Sequence, residues 1–353
     1  MKKKIISLLL CSALLMSIFT ICDRAFAADT KHEPVEVEIY AYQMGSTPYL
    51  AGMAWADLIN KHSDWLKAVC VESISSVGNE LMIRDNPDMR GHTVYYGVGD
   101  AAYRGVNQFA GNPYKRSKHV LNVSLGLNGM ITCNPEVKTV EDMAGKIFAQ
   151  YSNGAINKFV IALLSYVTPV IRFEDMDANQ RFESTLAKRS AATFFGGSAL
   201  TPDLKQWSPD PNCSEVMARA EYIGFINIPH DRMKALRSEV GGPFEGFYQV
   251  PGTIPAGGMG SRQTEDWNVF FNNSAFLADQ DMDPEVIREM LRIFAEHADE
   301  LADLHPIFNM LTNDIMSMYA EPVEMHPAAQ AYWESIGVTP KTIVQFVESV
   351  KSK

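Results

Sequence analysis

Apolar and polar positions alternate over residues 35–42, with Val35, Val37, Ile39 and Ala41 on one face and Glu36, Glu38, Tyr40 and Tyr42 on the other. That two-residue period predicts a strand. The period then lengthens: Leu50, Met53, Ala54, Leu58 and Ile59 fall on one side of a helix over 50–61. Further strands are predicted at 93–98 and 146–150, and a long extended segment at 120–133 has the length to cross between lobes. Thr139 to Asp142 fits a capping box that opens a short helix, and Phe159, Val160, Leu163, Leu164 and Val167 mark another helix. Asp283-Pro284-Glu285 combines a cap, a first-turn proline and a favourable acid. It starts a stripe of Val286, Ile287, Met290, Leu291, Phe294, Ala298 and Leu301. Thr339-Pro340 opens a final helix carrying Ile343, Val344, Phe346, Val347 and Val350, while residues 201–220, rich in proline, read as an irregular loop. Strands alternating with helices predict an α/β protein, and about 320 residues exceed one comfortable core, so two lobes are expected.

The first residues follow a different pattern. Lys2 to Lys4 precede an apolar run ending at Cys22, and Ala25-Phe26-Ala27 forms a small-x-small site. This is the layout of an export signal cleaved near Ala27, and it predicts a periplasmic protein. The competing reading is an uncleaved anchor, since the run reaches the lower edge of spanning length. The signal carries a net charge of +3, so its removal takes the formal charge from −11 to −14. An acidic body without a basic patch excludes nucleic acid as a natural partner. Cys70, Cys133 and Cys213 remain, which allows one disulfide with a leftover thiol or three buried thiols.

Candidate chemistry gathers where strands run into helices. Gly45-Ser46-Thr47, Ser75 to Asn79 and Ser152-Asn153-Gly154 each place hydroxyls, amides and free backbone N–H groups at a helix N-terminus. Such a loop can hold a carboxylate through its orphan donors and the positive helix end, and in open α/β sheets ligands bind at the carboxyl ends of strands. Plain N-capping explains any one of them. For the three together, capping and ligand binding stand side by side. Gly196–Ser198 and Asn157 join the candidate cleft, with Tyr49 and Tyr248 as aromatic walls and Arg84, Lys158 or Arg172 as partners for a second carboxylate.

Catalytic patterns are absent from the sequence. Gly196-Gly197-Ser198 does not continue to a nucleophile elbow. The eight histidines contain no H-E-x-x-H, so neither a metal nor a cofactor is expected, and Gly97-x-Gly99 lacks the third glycine of a dinucleotide loop. His305-Pro306 and His326-Pro327 read as helix boundaries. No enzyme is expected.

Several stretches together resemble one family. They are Gly45-Ser46-Thr47-Pro48-Tyr49 with Gly52, Ser76-Val77-Gly78-Asn79, Glu141-Asp142-Met143-Ala144-Gly145-Lys146, Ser152-Asn153-Gly154, Thr253-Ile254-Pro255-Ala256-Gly257 and Met325-His326-Pro327-Ala328-Ala329. In this order they resemble the TAXI family of solute-binding proteins from TRAP (tripartite ATP-independent periplasmic) transporters. The resemblance implies a type II periplasmic-binding-protein fold, with two α/β lobes, a hinge and a central ligand cleft. It divides the chain into a signal peptide (1–27), lobe 1 (28–125), lobe 2 (126–269) and a return to lobe 1 with C-terminal helices (270–353). It further implies a receptor for a small carboxylate, glutamate or 2-oxoglutarate-like, that hands its ligand to TRAP membrane subunits. The alternatives are a sensory receptor for a membrane signalling protein and, behind it, a periplasmic enzyme. The ligand-binding positions so predicted are Gly45, Ser46, Thr47, Tyr49, Ser76, Asn79, Ser152, Asn153, Gly154, Asn157, Gly197 and Tyr248.

Overall fold

The computed structural model describes residues 32–351 apart from 74, 152–163, 165–169 and 234–248. The signal segment 1–27 and the candidates Ser152, Asn153, Gly154, Asn157, Lys158 and Tyr248 lie outside the described residues. So does the helix predicted around 159–167, except Leu164, which is buried.

Among the described residues, eleven strands form one mixed sheet. Its first part is built on β1 (Val35–Tyr40), which pairs in parallel with β2 (Leu66–Val71) on one side and β3 (Thr93–Gly97) on the other. Helix α1 (Thr47–His62) crosses between β1 and β2. Asn60 ties the helix to the strand by donating to the Ala68 carbonyl at 2.8 Å and accepting its N–H at 2.9 Å. Helix α2 (Ser76–Asp85) leads into β3, and the short α3 (Asp100–Arg104) follows it.

The next strand, β4 (Ser117–Thr132), is the long extended segment seen in the sequence. Its antiparallel partner β11 (Trp267–Asp279) is nearly as long, and the register runs from Ser117↔Asp279 to Asn128↔Phe270. Register shifts fall between Ser274 and Ala275 and between Phe276 and Leu277. The remaining strands are β5 (Ile147–Tyr151), β6 (Arg172–Met176), β7 (Ala192–Ala199), β8 (Trp207–Pro209), β9 (Gly224–Ile226) and β10 (Val250–Ile254). The sheet order is β2-β1-β3-β11-β4-β7-β5-β6, with β8, β9 and β10 paired to β7, β4 and β11.

Two large cores divide along β4 and β11. Val120, Leu121, Val123, Phe276 and Ala278 belong to a first core with Trp55, Phe294 and Trp333. Leu125, Leu127, Met130, Trp267, Val269 and Phe271 belong to a second core with Phe148 and Phe195. The same two strands therefore serve both cores, one with each end. A smaller cluster of Tyr95, Phe109 and Leu277 lies beneath α2.

Helix α4 (Ala178–Leu186) starts at Asp177, whose carboxylate accepts the Gln180 N–H while the Gln180 side chain accepts the Asp177 N–H, a complete capping box. Residues 201–220 differ from the irregular loop expected: they hold β8 and helix α5 (Pro211–Arg219). Pro211 fills a first-turn position whose N–H would be unpaired in any case, and Cys213 and Val216 give the helix its buried face. Thr139 to Asp142 makes only a 3₁₀ turn at Glu141–Met143, with the Asp142 carboxylate accepting the N–H groups of Lys138 and Thr139.

Helix α6 (Pro284–His297) carries the predicted apolar stripe and tightens to a 3₁₀ turn at Ala298–Leu301. After α7 (Asn313–Met316) and α8 (Pro327–Ser335), α9 (Ile343–Lys351) begins three residues later than Pro340 suggests. Its cap is Thr342, whose hydroxyl accepts the Gln345 N–H while the Gln345 amide accepts the Thr342 N–H. Ile343, Phe346 and Val347 pack into the second core, whereas α6 and α8 pack into the first. His305 and His326 act as N-caps, each accepting a backbone N–H two residues on through Nδ1. No helix among the described residues is long and apolar enough to cross a membrane.

Candidate functional site

A cleft opens at the carboxyl ends of β1 and β3, between groups drawn from both cores, with a cavity volume of about 130 Å³. A cavity needs only ~10–15 Å³ on this scale to admit one water, so there is room for a small organic molecule. Ser46, Thr47 and Pro48 from the start of α1 and Ser76 from the start of α2 form one wall, together with Tyr42, Tyr96 and Val98. Gly126 and Asn128 of β4, Gly196, Gly197 and Ser198 of β7, and Asn272 and Ser274 of β11 form the floor. Tyr151 and Asp210 close the far side.

The helix entries are held by their own caps. Ser46 accepts the Tyr49 N–H at 3.3 Å while its hydroxyl donates to the Gln43 carbonyl at 2.6 Å. Ser75 accepts the Gly78 N–H at 3.2 Å. Both helix N-termini thus present positive ends at the cleft wall. The next residues of α2 shape the cleft without lining it. The Asn79 amide donates to the carbonyls of Ala41 and Tyr96, both at 3.0 Å. One Glu80 carboxylate oxygen accepts the N–H groups of Val98 at 2.8 Å and Gly99 at 2.7 Å. Burial raises the Glu80 carboxyl to about 7 despite those two donors.

The predicted residues separate accordingly. Ser46, Thr47, Ser76 and Gly197 line the cleft. Gly45 stands beside it in a left-handed turn at φ 81°, with the side-chain oxygen of Asn212 the nearest atom a Cβ would meet. Asn79 is drawn into tying strand ends together and does not face the cavity. Tyr49 sits half-buried against the first core, because its place in the first turn of α1 points it under the helix. The aromatic wall is made instead by Tyr42, Tyr96 and Tyr151, with Tyr42 and Tyr96 at a 5.5 Å ring separation. Arg84 pairs with Asp85 at 2.7 Å and lies over the Phe109 ring, and Arg172 is exposed on β6, so neither reaches the cleft.

Two charged groups at the site carry no strong signal in the sequence. Asp210 occupies the N-cap position of α5 yet makes no capping hydrogen bond. Its Oδ1 instead accepts the Thr47 hydroxyl across the cleft at 3.0 Å, linking the start of α1, a helix of the first core, to the start of α5, a helix of the second. Burial pushes the Asp210 carboxyl up, and the Thr47 hydroxyl pulls the other way. Arg181 of α4 is 1% exposed. Its guanidinium stacks 3.8 Å from the centre of the Tyr151 ring and donates to the Thr193 hydroxyl at 2.9 Å. Among the described residues, its Nε has no hydrogen-bond partner.

Away from the cleft, His62, His297 and Glu300 bring three possible metal ligands together where α1 and α6 end. The two imidazoles are stacked at 3.5 Å with planes 7° apart. Ring nitrogens in parallel planes do not converge on one ion, and Lys61 already pairs with Glu300. Cys70, Cys133 and Cys213 are free thiols.

Two α/β halves joined by shared strands, with a polar cleft where they meet, make the type II periplasmic-binding-protein fold. The model of the NMT1-like family matches residues 40–337, and the chain belongs to that family. Comparison with curated proteins gives no match. Among solved structures, the chain is similar to a protein of R. palustris with adipate, at 14% identity over 87% of this chain and 97% of that one, with a TM-score of 0.49. It is likewise similar to one described as a periplasmic transporter (12% identity, 87% and 94% covered, TM-score 0.48). A third is the periplasmic aliphatic sulphonate binding protein SsuA from Escherichia coli (12%, 87% and 89%, TM-score 0.46).

Proposed function

We propose that the protein is an exported receptor that captures a small carboxylate-bearing solute, glutamate or 2-oxoglutarate-like, and delivers it to the membrane subunits of a TRAP-type transporter. The observation that carries the reading is the pair of helix N-termini, at Ser46–Thr47 and Ser76, that face one cavity floored by residues of β4, β7 and β11. Orphan N–H groups and hydroxyls bind an anion there without a formal positive charge. The buried Arg181 behind Tyr151 adds a favourable field. Capture works by closure: a ligand touching both halves stabilises only the conformation in which both reach it. The TAXI resemblance supplies the transporter partner, and the signal-like residues 1–27 supply the compartment.

The test is a thermal-shift panel of amino acids, keto acids, dicarboxylates and sulfonates, with native mass spectrometry of the freshly purified chain. A true ligand at a hundred times its Kd raises stability by about 2.7 kcal/mol. No shift across the panel and no co-purifying small acid would refute the receptor.

A further inference from the structure

Helix α2 carries a negative charge close behind its positive end. Ser76, its first residue, lines the cavity. Glu80 follows about one turn later, ~6 Å along the axis, and is 1% exposed. The carboxyl is pressed onto the end of β3, where a Cβ on Gly97 would stand 2.8 Å from its Oε1 and 2.9 Å from Leu277. There Oε1 accepts the N–H groups of Val98 and Gly99. Val98 is itself part of the cavity wall, beside Ser76 and Tyr96. Glu80 therefore stands behind the surface that these three residues present to a bound molecule, tied to it by hydrogen bonds.

The groups around Glu80 do not neutralise it. From its own helix, Arg84 turns away to Asp85 and the Phe109 ring. From α3, Asp100 adds like charge, and Arg104 is engaged by Asp100 at 2.6 Å. β3 brings the buried Tyr95, whose hydroxyl meets Ser117, and β11 brings the apolar Leu277. Among the described residues no cation pairs with Glu80. A helix N-terminus carries about half a positive charge, so an ionised carboxylate one turn inside offsets it for an anion in the cavity. With the proton on, the helix end acts in full. Burial holds the carboxyl at about 7, where both forms are populated near neutral pH.

We propose that the proton on Glu80 gates the anion site of the cleft, so that the receptor holds its anionic solute with Glu80 neutral and takes up a proton on binding from neutral or alkaline solution. This rests on the anion-receptor reading and assigns the regulation of that site. The sign follows from repulsion: an anion at the start of α2 makes the ionised form of Glu80 less favourable, so binding raises its titration midpoint and affinity falls as pH rises. Like charges ~8–20 Å apart at an effective dielectric of ~20 move a midpoint by about 0.5 to 1.5 pH units.

Calorimetry on the whole mature chain tests it with 2-oxoglutarate, L-glutamate, pyruvate and methanesulfonate, which hold their charge from pH 6 to 8.5. For a probe that binds, affinity should fall about 3- to 15-fold across that range. Titrations at pH 7.5 in phosphate and in Tris should differ in heat by the uptake of roughly a quarter to two-thirds of a proton. Glu80→Gln, which keeps the acceptor and cannot ionise, should bind with a level pH profile and no proton uptake. The carboxyl carbon of Glu80 in the wild type, followed by NMR with and without the probe, should show the raised midpoint directly, so the test stands even if Glu80→Gln folds poorly. An affinity that stays level with pH, a variant that loses affinity in parallel with the wild type, or a Glu80 midpoint unmoved by the probe overturns the proposal and leaves the receptor intact. Failure of all four probes to bind at any pH removes the anion reading and the proposal with it.

Discussion

Glu80 offers the sharpest test of how the cleft is supported. Its side chain is buried and one oxygen accepts both the Val98 and Gly99 N–H groups, so Glu80→Gln keeps the acceptor and removes only the ionisable site. In the folded chain burial raises the carboxyl from 4.5 to about 7. The sign follows from linkage. Below pH 4.5 the group is protonated whether the chain is folded or not, and its contribution is fully present. As pH rises through 7 the unfolded chain has already lost the proton and the folded one must give it up in a buried site, so stability falls. A shift of this size is worth roughly 3 kcal/mol across the window. The raw pH profile will not reveal it cleanly, because burial lowers the His119 imidazole to about 4 and so favours the folded chain as pH rises through that range. Asp100, raised by burial to about 6 and held by Arg104, adds to the direction of Glu80. Urea unfolding of wild type and Glu80→Gln in parallel from pH 4 to 8.5 cancels the His119 and most of the Asp100 contribution. The wild type should lose roughly 3 kcal/mol relative to the variant between pH 4 and 8. A difference that stays level, or a wild type that gains on the variant as pH rises, would mean that the two N–H groups outweigh burial and that the reasoning fails.

Two further substitutions probe the framework. Thr47→Val keeps the side-chain volume but deletes the hydroxyl that reaches Asp210, and should cost about 1 kcal/mol of cross-cleft contact. Small-angle scattering of the ligand-free variant should give a larger radius of gyration, and an unchanged profile would show that the contact does not hold the halves together. Gly129→Ala places a Cβ 2.0 Å from the buried ring of Trp267, a backbone approach that only glycine permits. It should destabilise by about 1–3 kcal/mol through overpacking, read by urea midpoint against Gly91→Ala, which meets nothing within 4 Å and should stay within ~0.5 kcal/mol of wild type.

What could be read in the sequence was local. Ser46, Thr47 and Ser76 were legible because a helix entry shows in the chemistry of a few adjacent residues, and the length of β4 was legible in its unbroken extended pattern. Tyr49 lies within the same short motif, yet whether it faces cavity or core depends on the helix rotation set by packing. Asn79 has the right chemistry for a ligand, but the ends of β1 and β3 claim it. Asp210 was hidden twice over: its segment looked irregular because Pro209 ends a strand and Pro211 starts a helix, and its partner Thr47 is far away along the chain. Asn272 and Ser274 sit in an apolar strand and become cleft residues only through pairing with β4. The start of the last helix was misplaced because Thr339-Pro340 imitates a cap that Thr342 and Gln345 make.

Strand β11 inserts between β3 and β4 although it is made long after either. Until it is present, both neighbours expose open edges in the middle of the future sheet, and neither core has its full set of side chains. A single cut anywhere between β4 and β11 therefore cannot yield two self-sufficient fragments, since each piece would lack a strand that the other holds. Folding must wait for sequence-distant pairing, which slows it and leaves adhesive edges uncovered in the meantime. A chain arranged in this way stays pliable until nearly all of it has been synthesised.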